Sequence, residues 1–185
     1  MQRIPAINAS AAPAVTQGLL DAVTKQMGGV PNILATMAQS PAALEGFLGF
    51  AGGLSKGSLA PAVREQIALA VAGANTCDYC ASAHTALGKG AGLTAQEMTR
   101  NLTGESSDPK VAALLSFARQ VVSKRGNVSD ADLSAFRAAG YGDAAVVEVV
   151  AQVALNIFTN YFNHVAGTEI DFPRVDTHST LAVTA

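Results

Sequence analysis

Asn75-Thr76-Cys77-Asp78-Tyr79-Cys80-Ala81-Ser82-Ala83-His84 holds both cysteines and one of the three histidines of the 185-residue chain. A helix starting at Thr76 or Cys77 puts Cys80 and His84 four residues apart, on one helical face. Such a start also favours a thiolate, because unpaired backbone N–H groups and the positive end of the helix dipole stabilise the anion. Upstream, residues 60–74 read as a second helix, with Pro61 suited to its first turn and Glu65 its one acid. A short turn at Asn75-Thr76 folds the two helices into an antiparallel hairpin. Glu65 lies ten residues before Asn75 and His84 eight after Thr76, so at about 1.5 Å rise per residue both sit at similar depth in the seam.

The remaining chain also reads as helices. Val15, Leu19, Leu20, Val23 and Met27 recur at helical spacing over residues 14–27, and Gly28-Gly29 stops them. Residues 31–38 form a short helical turn, and Ser40-Pro41 caps a helix to about Ser55. Gly46, Gly49, Gly52 and Gly53 within that segment imply either close packing or a break. Gly88, Gly90 and Gly92 end the cysteine helix, and Thr94-Ala95-Gln96-Glu97 fits a capping box. Residues 109–125 and 129–139 follow as helices, then a long apolar one over 143–166. With 49% hydrophobic residues, 5% aromatics and no Trp, the composition fits closely approaching helices in one domain spanning residues 1–185. Its core covers about 14–172, and 173–185 form an extended tail, mobile or lying on a neighbouring subunit.

A net charge of −2 with 12 scattered Lys and Arg argues against nucleic acid and against a polybasic membrane patch. Residues 1–10 lack a secretory apolar run, and no stretch reads as the roughly 18 apolar residues of a membrane span. A cytoplasmic protein is the expectation. In that reducing compartment a lone Cys-x-x-Cys is redox-catalytic or metal-binding more often than a structural staple.

Glu65, eleven intervening residues, Cys77-x-x-Cys80, three more residues and His84 resemble the active-site signature of the AhpD-like alkylhydroperoxidases, within the carboxymuconolactone decarboxylase family. Arg64-Glu65-Gln66-Ile67-Ala68-Leu69 and the closing Asn163-His164-Val165-Ala166-Gly167-Thr168-Glu169-Ile170-Asp171-Phe172-Pro173 are similar to its peroxidase-related branch. The likeness covers most of residues 40–173. It implies an all-α AhpD-like bundle and a homo-oligomer, trimeric or hexameric. It also implies a thiol-dependent peroxidase in which Cys80 attacks the hydroperoxide, Cys77 resolves the sulfenic acid into a disulfide, and Glu65 and His84 relay the proton. A small hydroperoxide and an external dithiol reductant, lipoyl-bearing or thioredoxin-like, are the implied partners, with no cofactor or metal. Tyr79 stands where the founding pattern has a histidine, and the expected rate is modest accordingly.

Each residue also has a plainer reading. Cysteine in a helix is often a small buried hydrophobe, His84 alone a structural histidine, Glu65 alone a surface charge. Tyr79 supplies either a hydroxyl near Cys80 or an aromatic packing surface. His164, near a helix C-terminus, favours the dipole, and His178 lies in the tail. Cys77, Cys80, His84 and Glu65 are also zinc-ligand types, which leaves a zinc-stabilised or redox-sensing oligomeric module as an alternative, and the family's lactone decarboxylation as another.

Overall fold

The computed structural model describes residues 1–8 and 12–179, and the described residues form nine α-helices and no strand. In chain order they are α1 (Ala14–Met27), α2 (Asn32–Met37), α3 (Pro41–Leu54), α4 (Pro61–Ala74), α5 (Asp78–Gly90), α6 (Ala95–Thr103), α7 (Pro109–Ser123), α8 (Asp130–Ala138) and α9 (Asp143–Ala166). The fold is all-α, with the cysteine pair at the head of the second helix of the α4–α5 hairpin.

The architecture centres on α4, which packs against α5, α6, α7 and α9. Residues 66–73 of this helix are buried without a break, which its small side chains allow, since Ala68, Ala70, Ala72 and Gly73 let neighbours approach. Gly73 is obligatory: a Cβ there meets the Leu102 carbonyl oxygen of α6 at 1.9 Å. Two apolar clusters lie on either side. Leu69 and Ala72 join Leu20, Leu44, Met98 and both cysteines, whereas Ile67, Ala70 and Val71 join Leu114, Leu115, Phe136 and Val149.

Local signals account for most helix ends. Ser40 accepts the Ala43 N–H, Ser129 and Asp132 make a full capping box, and Gly28, Gly104 and Gly167 close helices in the left-handed region. At α6 only half of the expected box forms. Thr94 accepts the Glu97 N–H, but the Glu97 carboxylate turns away to Ser106, Ser107 and Asn101, where it ties down the loop before α7.

Three other expectations are revised. The α3 helix is continuous, and its four glycines face open space rather than a close neighbour. Residues 173–179 do not extend away from the bundle: Thr177 donates to Asp78 through its N–H at 3.0 Å and its hydroxyl at 2.7 Å, and the Val175 N–H donates to Ser82 at 2.9 Å. The rest of the expected tail, 180–185, lies outside the described residues. Finally, α9 is long and apolar enough, by length and composition, to cross a membrane. Gln152, Asn156, Asn160 and Asn163, which interrupt its apolar run, are all buried inside the fold.

Candidate active site

The α4–α5 turn, residues 75–77, is tight. Thr76 adopts φ +52°, and the Cys77 N–H returns to the Ala72 carbonyl at 2.9 Å. A β-branched residue in the left-handed region is strained, and this strain sits immediately before the cysteine pair. Cys77 is the N-cap of α5: its Sγ accepts the Cys80 N–H at 3.4 Å. Both thiols are free and buried, Cys77 at 1% and Cys80 at 2% exposure. Around Cys77 this burial comes from the segments at 167–174 and from the N-terminal residues, which border the turn.

Glu65 and His84 meet across the hairpin seam as their spacing predicted, with Nδ1 to Oε2 at 2.8 Å and 22% of each side chain exposed. With Nδ1 directed at the carboxylate, Nε2 is left for other partners. Burial works to lower the His84 pKa, but the Glu65 charge and hydrogen bond outweigh it, the Cys80 charge adds to them, and the net direction is upward. His84 shares with Cys80 a cavity of about 130 Å³ whose walls include Ile33, Leu34, Phe47 and Leu87. On its other side His84, with Glu65, borders a second cavity beside Arg64 and Gln152.

The two thiols are unequal. The hydrogen bond from the Cys77 thiol is the largest influence on Cys80 and lowers its pKa; burial opposes this, and His84, Asn163 and Asn160 reinforce it, bringing Cys80 down to about 7. Cys77 moves the other way, held protonated by its bond to Cys80, by burial and by the neighbouring charge. The arrangement is that of one thiolate and one proton-holding thiol at a helix N-terminus.

The sequence reading missed the asparagines. The Asn163 carboxamide donates to Cys80 Sγ at 3.2 Å, and Asn160 accepts from Asn75 at 2.9 Å. Asn163 Oδ1 is buried with no hydrogen-bond partner, and Asn160 Nδ2 is buried beside Cys80 without a hydrogen bond of ordinary geometry. The signal was present in the sequence, since Gln152, Asn156, Asn160 and Asn163 fall at offsets of four, four and three on an otherwise apolar helix, which places carboxamides on one face.

Tyr79 is a structural tie. Its hydroxyl donates to Asp171 at 2.8 Å and accepts the Ile33 N–H at 3.1 Å, while its ring meets Phe172 edge-on at 5.9 Å. Burial pushes the phenol pKa up, and Asp171 pushes it further against the opposing Ile33 bond, so Tyr79 stays protonated and carries no proton relay. His164 and His178 are exposed. Among the described residues no three His, Cys, Asp or Glu side chains are arranged to hold a metal ion, which leaves the zinc-module alternative without a ligand set.

Residues 41–124, spanning α3 to α7, match the carboxymuconolactone decarboxylase family. No curated protein matches the chain in sequence. Among solved structures, a peroxidase-related protein from Ralstonia eutropha JMP134, described as an alkylhydroperoxidase AhpD core, superposes with a TM-score of 0.84 at 26% identity, covering 92% of each chain. A peroxidase-related protein from Silicibacter sp. TM1040 gives 0.80 at 21% identity over 91% of this chain and 93% of that one. The debrominase Bmp8, solved in complex with 2,3,4-tribromopyrrole, gives 0.77 at 17% identity over 100% and 98%. The last two show the shared fold alone. The family match over the hairpin and its neighbours, joined to a fold shared over nine-tenths of an AhpD core, makes this chain similar to the AhpD-like proteins of the carboxymuconolactone decarboxylase family.

Proposed function

We propose that the protein is a thiol-dependent peroxidase reducing small hydroperoxides. The observation that carries this reading is the environment of Cys80, a buried thiol with its pKa lowered to about 7, held by the Asn163 N–H and sharing a cavity with the Glu65-paired His84. The Cys80 thiolate attacks the outer peroxide oxygen. The O–O bond breaks, its electron pair leaves on the alkoxide, and a proton delivered from His84 completes the alcohol. Cys80 is left as a sulfenic acid. The Cys77 sulfur then attacks it, forming the disulfide and releasing water. Glu65 orients the imidazole and restores its proton through the cavity beside Arg64 and Gln152. An external dithiol supplies the two electrons that reopen the disulfide.

The same reading includes one functional domain over 1–185 working in the cytoplasm as a homo-oligomer. Val147, Val150, Phe158, Tyr161 and Val165 form an exposed apolar stripe along α9, and the α3 glycines face open space. The test is a thiol count before and after one equivalent of organic hydroperoxide, with metal analysis and light scattering on the same sample. Loss of two thiols per chain without metal supports the peroxidase. Intact thiols, stoichiometric zinc or debromination of a bromopyrrole without peroxide turnover would overturn it, and a monomer at micromolar concentration would remove the oligomer.

A further inference from the structure

The two cysteines open onto different spaces. Cys80 and His84 line the apolar cavity of about 130 Å³, whereas Cys77 lies at the floor of a separate cleft of about 800 Å³ bordered by polar and charged side chains, among them Asp78, His164, Glu169 and Arg174. Only Tyr79 and Phe172 line both. Their rings pack edge-on, and the Tyr79 hydroxyl is fixed between Asp171 and the Ile33 N–H, so the two residues form a braced partition. This gives Tyr79 a purpose that a relay histidine at the same position would not serve.

Resting on the peroxidase reading above, we propose that the Cys77-side cleft is the binding site for the reductant, a small or arm-borne dithiol, and that the Cys80-side cavity admits only the hydroperoxide. Size supports the division. The apolar cavity is close to the roughly 150 Å³ that holds benzene, which suits a compact organic peroxide and leaves no room for a dithiol and its carrier. The cleft lies within the roughly 300–1,000 Å³ range of ligand sites, and its mixed charges suit a polar arm.

The chemistry points the same way. In a disulfide the thiol of lower pKa is the better leaving group, so an incoming donor thiolate attacks Cys77. The Cys77–Cys80 bond breaks and its electron pair departs on Cys80 Sγ, where the Asn163 N–H receives it. The second donor thiol then attacks its own partner's sulfur in the mixed disulfide. Cys77 leaves and takes up a proton, and the donor departs as a cyclic disulfide after giving two electrons and two protons. Each stage then uses its own side of the partition, and a peroxide cannot compete with the donor for the same space.

The test separates the half-reactions. The full chain is oxidised with diamide, without peroxide, and its reduction by free dihydrolipoamide is followed by stopped flow; oxidation of the reduced chain by tert-butyl hydroperoxide is followed separately. Glu169→Trp and His164→Trp narrow the cleft from exposed positions, and Leu87→Trp narrows the cavity. The reduction rate divided by the oxidation rate is expected to fall at least tenfold in each cleft variant and to rise at least tenfold in the cavity variant, with far-UV circular dichroism confirming intact helices. Ratios within twofold of wild type in both cleft variants, or a lower ratio in Leu87→Trp, overturn the assignment. A wild-type chain inert to hydroperoxide, whose dihydrolipoamide reduction still depends on the cleft, removes the peroxidase reading and leaves the dithiol site standing.

Discussion

The two sides of α4 solve different problems. Toward α7, α8 and α9 the packing is apolar and closed: Phe117, Phe136 and Tyr141 stack with centroids 4.4 and 4.6 Å apart over Leu114, Leu115 and Val149, all three leucine and valine side chains fully buried. Toward α5 and the C-terminal half of α9 the interior is polar. It holds two thiols, a run of carboxamides with unpaired Asn163 Oδ1, and a strained turn at Thr76. An unpaired buried polar group costs about 1–3 kcal/mol, so the site side is held in its geometry by the stability of the other. Chemistry at Cys80 needs donors not already satisfied elsewhere, and the aromatic stack lets the fold tolerate them.

The contrast is broken most completely at the thiols. Cys80→Ser is expected to abolish hydroperoxide consumption while far-UV circular dichroism shows the helices intact. Cys77→Ser stops turnover after one equivalent and leaves a sulfenic acid that dimedone labels on Cys80; labelling confined to Cys77 reverses the two roles.

Next in size is the opposite loss. Phe136→Ala, at a fully buried ring between two aromatic neighbours, should cost about 3–5 kcal/mol in urea unfolding. The alkylation pH midpoint of Cys80 should remain at about 7 in the folded protein. A midpoint displaced by a full unit would show that the two sides are not separable.

A smaller effect sharpens the electrostatics. Thiolate forms as pH rises through the Cys80 pKa, so alkylation by iodoacetamide should increase with pH and reach half its maximum near 7. Glu65→Gln removes the charge that raises the His84 pKa. The imidazole then loses its proton at lower pH, Cys80 loses its neighbouring cation, and the midpoint moves up by about one unit, slowing alkylation at pH 7 roughly fivefold. His84→Asn acts in the same direction, and the double variant should lose much less than the product of the two. Profiles that overlay wild type from pH 6 to 9 would return both residues to structural roles.

The smallest effect carries both signs. Asn163→Leu deletes the donor to Cys80 Sγ and the unpaired Oδ1 together. Alkylation at pH 7 should slow by about two- to fivefold while the protein gains up to about 1 kcal/mol in unfolding free energy. A variant both slower and less stable would mean that Asn163 is there for packing.

Much of this was legible in the chain. The helix boundaries came through because caps and glycines act locally, and the Glu65–His84 contact because a short turn leaves an antiparallel hairpin one register. The carboxamide face of α9 was written at helical spacing too, although nothing local says which helix Asn163 will face. Three features depended on residues far apart in sequence. The burial of Cys77 comes from segments near 2 and 167–174, and the docking of 173–179 from Asp78 and Ser82 some 93 to 99 residues earlier. The partition made by Tyr79 and Phe172 needs Asp171 and Ile33 to meet. Sequence by itself determined the all-α hairpin and the meeting of Glu65 with His84 beside the cysteine pair, since both follow from spacing within about twenty residues. Tertiary structure alone decided which thiol faces which space, because that depends on segments that touch only once the bundle has closed.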